Sequence, residues 1–351
     1  MKSKIVIDIR MLNHSGISNY IDNTVFEIVN HYRKSNFVLL INPKSNYSFF
    51  LEKLVFNNYK IIYINSSIYS LKEQFEIYFK LLQYRIDIFW SPHYIIPIFL
   101  RTKILVTIHD VWHLADNSSN KLLKRIYAKI IFFFIGFKKS NIIAISNFTK
   151  NEILKYTNIR TNISVIKHGL EQKWISTKSY KLNYDILYVG NIRSHKNINK
   201  LIHSFLNMGL KNSKLLLIGK NNNYINENFY DKMNIEFAGE INQNNLIHYY
   251  NNARLLVLPS SYEGFGFTPL EAMACECPVL VSDISPLKEV CKDGVFYFNL
   301  NVENDLKNKI LYLIENEKVC DELLLKGKKV INEYNWSKTV NETIKKIDKL
   351  L

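Results

Sequence analysis

Short runs of Ile, Val, Leu and Phe alternate along this chain with longer segments in which apolar residues recur every three or four positions. "KIVIDI" at Lys4–Ile9 precedes an amphipathic stretch from Ser18 to His31; "NFVLLIN" and "KIIYIN" follow, then a helix-period segment from Leu71 to Tyr84, "IDIFWS", "KILVTIHD", a helix pattern from Lys121 to Phe137, "NIIAIS" and "NISVIKHG". The short runs read as strands and the periodic segments as helices, and strands separated by helices make a parallel sheet in an α/β domain. Periodicity weakens across Leu170–Asn183 and then restarts with "YDILYVG", a helix from Asn197 to Leu206, "KLLLIG", "NIEFAG", a helix from Asn244 to Asn252, "RLLVLPS", a helix from Thr268, "CPVLVSD", a short helix near Pro286, "GVFYFNL" and closing helices. The expected fold is therefore α/β, with two Rossmann-like doubly wound domains whose sheets face a shared cleft at their carboxyl ends.

The length of 351 residues fits two such domains, and 47% hydrophobic residues suffice for two cores. A formal charge of +15, from 46 Lys and Arg against 31 Asp and Glu, calls for negatively charged partners: nucleotides, nucleic acid or an anionic membrane face. The four cysteines, Cys275, Cys277, Cys291 and Cys320, do not make a disulfide framework, and C-x-C without a second pair lacks zinc-ligand spacing. They read as small buried residues in a reduced compartment. The opening "MKSKIVIDIR" reads as a strand rather than a signal peptide, and the longest apolar run, Ile130 to Phe137, is too short for a membrane span.

Two stretches carry chemistry. In "SYEGFGFTPLEAMACECPVLV", Glu263 and Glu271 stand with seven residues between them around Gly264 and Gly266. Thr268 suits a helix N-cap, Pro269 the first helical position, and Glu271 stands at capping-box spacing from Thr268. Glu271 thus reads either as a structural cap or as a ligand group. The glycines before a helix start make a place for an electronegative ligand, and carboxylates there suit neutral sugar hydroxyls, since phosphate would repel them. The other stretch, "LYVGNIRSHKNINKLI", ends a strand at Gly190 and sets Arg193 and Lys196 in the loop before a helix, where two cations suit a diphosphate.

In the first half, "MLNHSGISNY" offers a single-glycine turn at Gly16 rather than a dinucleotide fingerprint, and "VTIHDVWH" puts His109 at a strand's carboxyl end, as either a packed or a catalytic histidine. No D-x-D occurs, so Arg193, Lys196 and helix dipoles, rather than an obligatory metal, would stabilise a diphosphate leaving group.

"EGFGFTPLEAMA" with "CPVLVSD", "LYVGNIRSHKN", "HG" at His168–Gly169 and "YNW" at Tyr334–Trp336 together resemble the retaining GT-B glycosyltransferases of family 4, closest to bacterial mannosyltransferase-like enzymes of O-antigen and surface polysaccharide synthesis. The resemblance implies an acceptor-side domain over 1–175, a nucleotide-sugar domain over 176–335 and a last helix, 336–351, crossing back to the first. It implies transfer of a hexose, best matched by mannose from GDP-mannose, onto a lipid-linked glycan, with retention at the anomeric carbon and no cofactor or required metal. Glu263 would contact the donor sugar, supported by the backbone of Gly264, Phe265, Gly266 and Phe267; Glu271 would hold the ribose; Arg193 and Lys196 would hold the diphosphate, with Gly190 ending the strand beside them. Gly16 would let the first domain approach that phosphate, and His109 would lie beside the transferred sugar. One position departs from the family pattern: Glu276 stands where "ACGCP" has glycine, which predicts a strained helix cap.

"KLLKRIYAKIIFFFIGFKK" mixes cations with an aromatic and aliphatic face, which fits either an interfacial helix or a buried helix with a basic edge, and the segment from Leu71 adds to such a face. The expectation is a cytoplasmic protein held peripherally at the inner face of the cell membrane. A nucleic-acid partner is not expected, because the cations are dispersed and no nucleic-acid motif occurs. A nucleotide-sugar epimerase of the same architecture stays open as the alternative.

Overall fold

In the computed structural model, strand β1 (Lys4–Asp8) lies third from one edge of a seven-stranded parallel sheet, and the structure describes residues 4–12, 15–56, 58–115, 122–160, 162–175, 184–210, 212–221, 224–225 and 234–351. The order along the first half is β1, α1 (Ser15–His31), β2 (Asn36–Ile41), α2 (Ser48–Glu52), β3 (Tyr59–Tyr63), α3 (Leu71–Leu81), β4 (Ile88–Ser91), β5 (Lys103–Ile108), α4 (Trp112–Ala115), α5 (Leu122–Phe137), β6 (Asn141–Ala144), α6 (Asn147–Tyr156) and β7 (Ile163–Val165). The spatial order β3-β2-β1-β4-β5-β6-β7 reverses between β1 and β4. Such a switch point opens a crevice at the strands' carboxyl ends.

The strands are buried on both faces, which is why they read as continuous apolar runs rather than alternating ones. Ile5, Ile7, Phe37, Leu39 and Trp90 pack on one face with α1. On the other, Val6, Val38, Leu40 and Phe89 pack with Ile77 and Leu81 of α3, and Ile104, Val106 and Ile108 pack with Ala128, Ile131 and Ile135 of α5. Val6 pairs with Phe89 and Phe89 with Ile104, so α3 and α5 cover the same face. Serine caps fix the helix starts: Ser70 Oγ accepts from Glu73 N at 3.3 Å and Ser146 Oγ from Thr149 N at 2.9 Å. Lys121, the expected first residue of α5, lies outside the described residues.

The second half contains β8 (Tyr184–Val189), a 3-10 turn (Ser194–Lys196), α7 (Ile198–Leu206), β9 (Leu215–Ile218), β10 (Ile235–Gly239), α8 (Gln243–Asn251), β11 (Ala253–Leu258), α9 (Phe267–Ala274), β12 (Val279–Ser282), α10 (Ser285–Cys291), β13 (Phe296–Phe298), α11 (Asp305–Glu315) and α12 (Glu317–Ile331). Its parallel sheet runs β10-β9-β8-β11-β12-β13, with the reversal between β8 and β11. Cys275, Cys277 and Cys291 are buried in this half as free thiols.

The two compact units are Met1–Gly169 with Trp336–Leu351, and Leu170–Asn335. The crossover thus falls at Gly169 rather than at 175. The reason is steric: a side chain on Gly169 would meet Trp336 N at 2.2 Å, so the outgoing and returning chains touch where only glycine fits. The returning helix, α13 (Trp336–Asp348), buries Val340, Ile344 and Ile347 in the core with α1, and Thr339 Oγ1 donates to Lys167 O at 2.7 Å.

Helix α9 corrects the expected start. Its N-cap is Gly266 at φ 108°, not Thr268, so Pro269 falls inside the first turn and Glu271 caps nothing. At the other end, Cys277 N donates to Ala272 O (2.9 Å) and Glu276 N to Met273 O (3.1 Å), which is a Schellman closure with Glu276 at φ 54°. The Glu276 carboxylate pairs with Lys328.

Candidate functional site

In the second unit the sequence-expected groups gather at the switch point. Strand β8 runs into Gly190 at φ 148°, where the backbone of Gly219 approaches so closely that a side chain on Gly219 would meet Gly190 O at 2.1 Å. The loop then folds into the 3-10 turn, with Lys196 N donating to Arg193 O at 3.0 Å and Asn197 left-handed at φ 51°. This turn is tied to the loop after β11: Ser261 N donates to His195 O at 2.8 Å and Asn197 Nδ2 to Pro259 O at 2.9 Å.

The tie brings Lys196 and Glu263, far apart in sequence, into an ion pair with Nζ 2.5 Å from Oε1. Both side chains are largely buried, at 16% and 13% exposure, which strengthens the pair relative to a surface one. Arg193 is exposed, and its side chain makes no ion pair or hydrogen bond among the described residues. Phe265 is buried against Phe267 and Tyr334, ring centroids 5.3 and 5.6 Å away, and anchors the loop by packing. A side chain on Gly266 would press on Leu287 Cδ2 at 3.0 Å.

Glu271 is buried one turn into α9 and bonded to neither Thr268 nor Lys196. Tyr250, on α8, donates its hydroxyl to Glu271 Oε2 at 2.9 Å, and Trp174 packs edge-on against Tyr250 at 5.7 Å. Burial raises the Glu271 carboxyl to about 7, although the Tyr250 hydrogen bond and nearby Lys173 pull it down. Lys173 lies over the Trp174 ring and pairs with Glu171 at 2.8 Å. The second Glu271 oxygen makes no hydrogen bond with a described residue.

In the first unit, the carboxyl ends of β1, β4 and β5 carry a different set. His109 Nε2 sits 2.8 Å from Pro92 O, so that nitrogen holds the proton, and His109 Nδ1 lies 3.3 Å from His168 Nε2. Tyr20 and Trp336 enclose the histidines: Tyr20 lies 5.2 Å from His109 and 5.0 Å from His168, and Trp336 5.6 Å from His168, between ring centroids. Burial pushes His109 down to about 4, so it is neutral near pH 7.

Beneath them lies a charged cluster. Arg10 Nε and Nη2 grip Asp8 at 2.9 and 2.7 Å, Arg10 Nη1 reaches Glu73 at 2.7 Å, and His93 Nε2 stands 3.4 Å from Asp8. Burial alone would raise the Asp8 carboxyl, but the Arg10 guanidinium and His93 hold it well below the usual carboxylate range. Gly16 lies in the first turn of α1; residues 13 and 14 before it are outside the described residues.

Residues 172–330 match the family model "Glycosyl transferases group 1", and residues 21–173 match "Glycosyltransferase Family 4". The chain carries glycosyltransferase group 1 and family 4 domains. It is 31% identical over 225 residues to an uncharacterized glycosyltransferase of Methanocaldococcus jannaschii, covering 62% of each chain, and 31% identical over 236 residues to the O-antigen chain mannosyltransferase RfbU of Salmonella typhimurium, covering 63% of each. The chain therefore spans under two thirds of the length of these relatives. The fold matches more widely: the crystal structure of Anabaena HepE in complex with UDP and glucose superposes with a TM-score of 0.76 at 14% identity over 99% of each chain. The two parallel sheets are thus the Rossmann-like halves of a GT-B fold.

In this chain the sequence reading named Glu263, Lys196 and Glu271 but missed Tyr250, Trp174 and the whole cluster of Asp8, Arg10, Glu73 and His93. Arg10 and Glu73 are 63 residues apart, so no local spacing signals them. A charged "D-I-R" at the end of an apolar strand was the one available clue.

Proposed function

We propose that the protein is a retaining, metal-independent hexosyltransferase that moves mannose from GDP-mannose to a lipid-linked surface glycan at the cytoplasmic face of the membrane. The observation that carries the reading is the Lys196–Glu263 pair at the carboxyl edge of the second sheet's switch point, beside the glycine-capped start of α9. A cation and a carboxylate in contact there offer both groups that a sugar diphosphate needs: charge for the phosphates and acceptors for the hydroxyls. The mannosyltransferase among the relatives and the UDP and glucose bound by Anabaena HepE support the donor class.

In the proposed reaction the acceptor oxygen bonds to the anomeric carbon on the face from which the diphosphate leaves. The bond from that carbon to the phosphate oxygen breaks, and the acceptor proton passes to the departing phosphate. Lys196 and Arg193 stabilise the charge that grows on the leaving group, Glu263 orients the sugar, and Glu271 holds the ribose.

The test is a thermal-shift screen of nucleotide sugars, then transfer to a membrane extract with Lys196→Ala and Glu263→Ala beside the native chain. Stabilisation by one nucleotide sugar and loss of transfer in both variants are expected. Absence of any stabilising nucleotide sugar, or full transfer by both variants, overturns the reading.

A further inference from the structure

The outer surface of α3 and α5 carries two lines of exposed apolar side chains. Leu71, Phe75, Phe79 and Leu82, spaced four, four and three residues apart, form an exposed apolar line on α3; Phe79 is 66% exposed. Leu122, Ile126, Ile130, Phe133 and Phe137 form a second on α5, with Phe133 and Phe137 at 65% and 72% exposure and their rings stacked 6.2 Å apart. The inward residues of α5, Tyr127, Ala128, Ile131, Phe132 and Ile135, are separately buried, so the outer line is surplus to the core.

The two lines belong to one face. Both helices cover the same side of the first sheet, and Gln74 Nε2 of α3 donates to Tyr127 of α5 at 2.9 Å. Exposed Phe99 bridges toward α3, its ring 5.2 Å from that of Phe75, and Lys138 binds the neighbouring Leu100 carbonyl at 2.7 Å. In the second unit, exposed large apolar residues such as Leu206, Val302 and Leu325 are scattered singly along the chain, as is ordinary for a soluble surface.

The charge along the α5 segment has one sign. No Asp or Glu occurs between Asp116 and Glu152, while Lys124, Arg125, Lys129, Lys138 and Lys139 fall in that stretch. On α3, Glu73 is buried and Glu76 is paired with Lys80 at 2.7 Å.

We propose that α3, Phe99 and α5 form one docking face for an anionic lipid bilayer, with the aromatic lines entering the interface and the lysines meeting the headgroups. Cations interleaved with exposed rings and leucines fit a headgroup boundary, whereas the core of a protein partner's interface is depleted of lysine. Among the described residues no helix is long and apolar enough to cross a membrane, so the contact is along the surface. The proposal deepens the membrane reading above by naming the face, and its test does not need the transfer reaction.

The full chain is sedimented with vesicles of phosphatidylcholine, with and without phosphatidylglycerol. Binding is expected only with phosphatidylglycerol and is released by salt. Phe79→Ser with Phe133→Ser should lower the partition coefficient about tenfold or more, and Lys124→Gln and Lys129→Gln about fivefold each. All variants should keep the native melting temperature, since these side chains lie outside the core. Equal binding to both vesicle types, or binding unchanged by the serine pair, overturns the proposal, as does a serine pair that only converts a dimer to a monomer in light scattering. If the vesicle pattern holds while no nucleotide sugar stabilises the protein, the donor reading fails and the docking face stands.

Discussion

The Tyr250 hydroxyl donates to Glu271 Oε2 at 2.9 Å, and both side chains are buried. A carboxyl in that setting is raised from its ordinary 4.5 to about 7, first by burial. Below the lower value it is neutral whether the chain is folded or not. As pH rises toward 7 the unfolded chain releases the proton and the folded chain does not, so stability falls, by up to about 3 kcal/mol. Glu271→Gln should flatten the urea-unfolding free energy across this range. An unchanged slope would assign the pH dependence elsewhere.

Lys196 and Glu263 compete with a ligand for each other. Removing Glu263 frees the cation, so Glu263→Ala should bind a nucleoside diphosphate as tightly as the native chain or more so, while transfer from the nucleotide sugar falls by about a hundredfold. Lys196→Ala should weaken diphosphate binding by about tenfold. Calorimetric titration with GDP and UDP separates the two effects, and parallel losses of binding in both variants would mean a purely structural pair.

His109 is held neutral by its surroundings, with a value of about 4 against an ordinary 6.5. Its contribution is complete above pH 6.5 and is lost on acidification toward 4, because the unfolded chain takes up the proton first. The slope is at most about 1.4 kcal/mol per pH unit. Gln keeps both a donor for Pro92 O and an acceptor for His168, so His109→Gln should make acid unfolding less steep by about one proton, measured by urea titration at several acidic pH values.

Glu276→Gly should change stability by no more than about 1 kcal/mol, toward greater stability. The left-handed backbone at φ 54° favours glycine, while the lost pair with half-exposed Lys328 is weak. A drop of melting temperature would show that the pair matters more than the backbone.

The alternation of strands and helices was legible because parallel strands here are short and apolar on both faces. Thr268 read as a helix cap and is not one, since Gly266 at φ 108° caps α9 two residues earlier and leaves Glu271 free of capping. Glu263 was legible from its glycines, but its bond to Lys196 depends on how Ser261 holds the His195 carbonyl, a contact across 66 residues. The Asp8–Arg10–Glu73 cluster was invisible for the same reason. Exposure of the α5 aromatics could not be read either, because periodicity tells which residues share a face but not whether that face is covered.

Trp336 returns to Gly169, so the second unit is inserted whole into the first. During synthesis the ribosome completes residues 170–335 before it reaches Val340, Ile344 and Ile347, which close the core around α1. The first unit must wait, with that side of its sheet uncovered, until the inserted unit has been made. The unit begun before the insert is therefore the one that can close only after it.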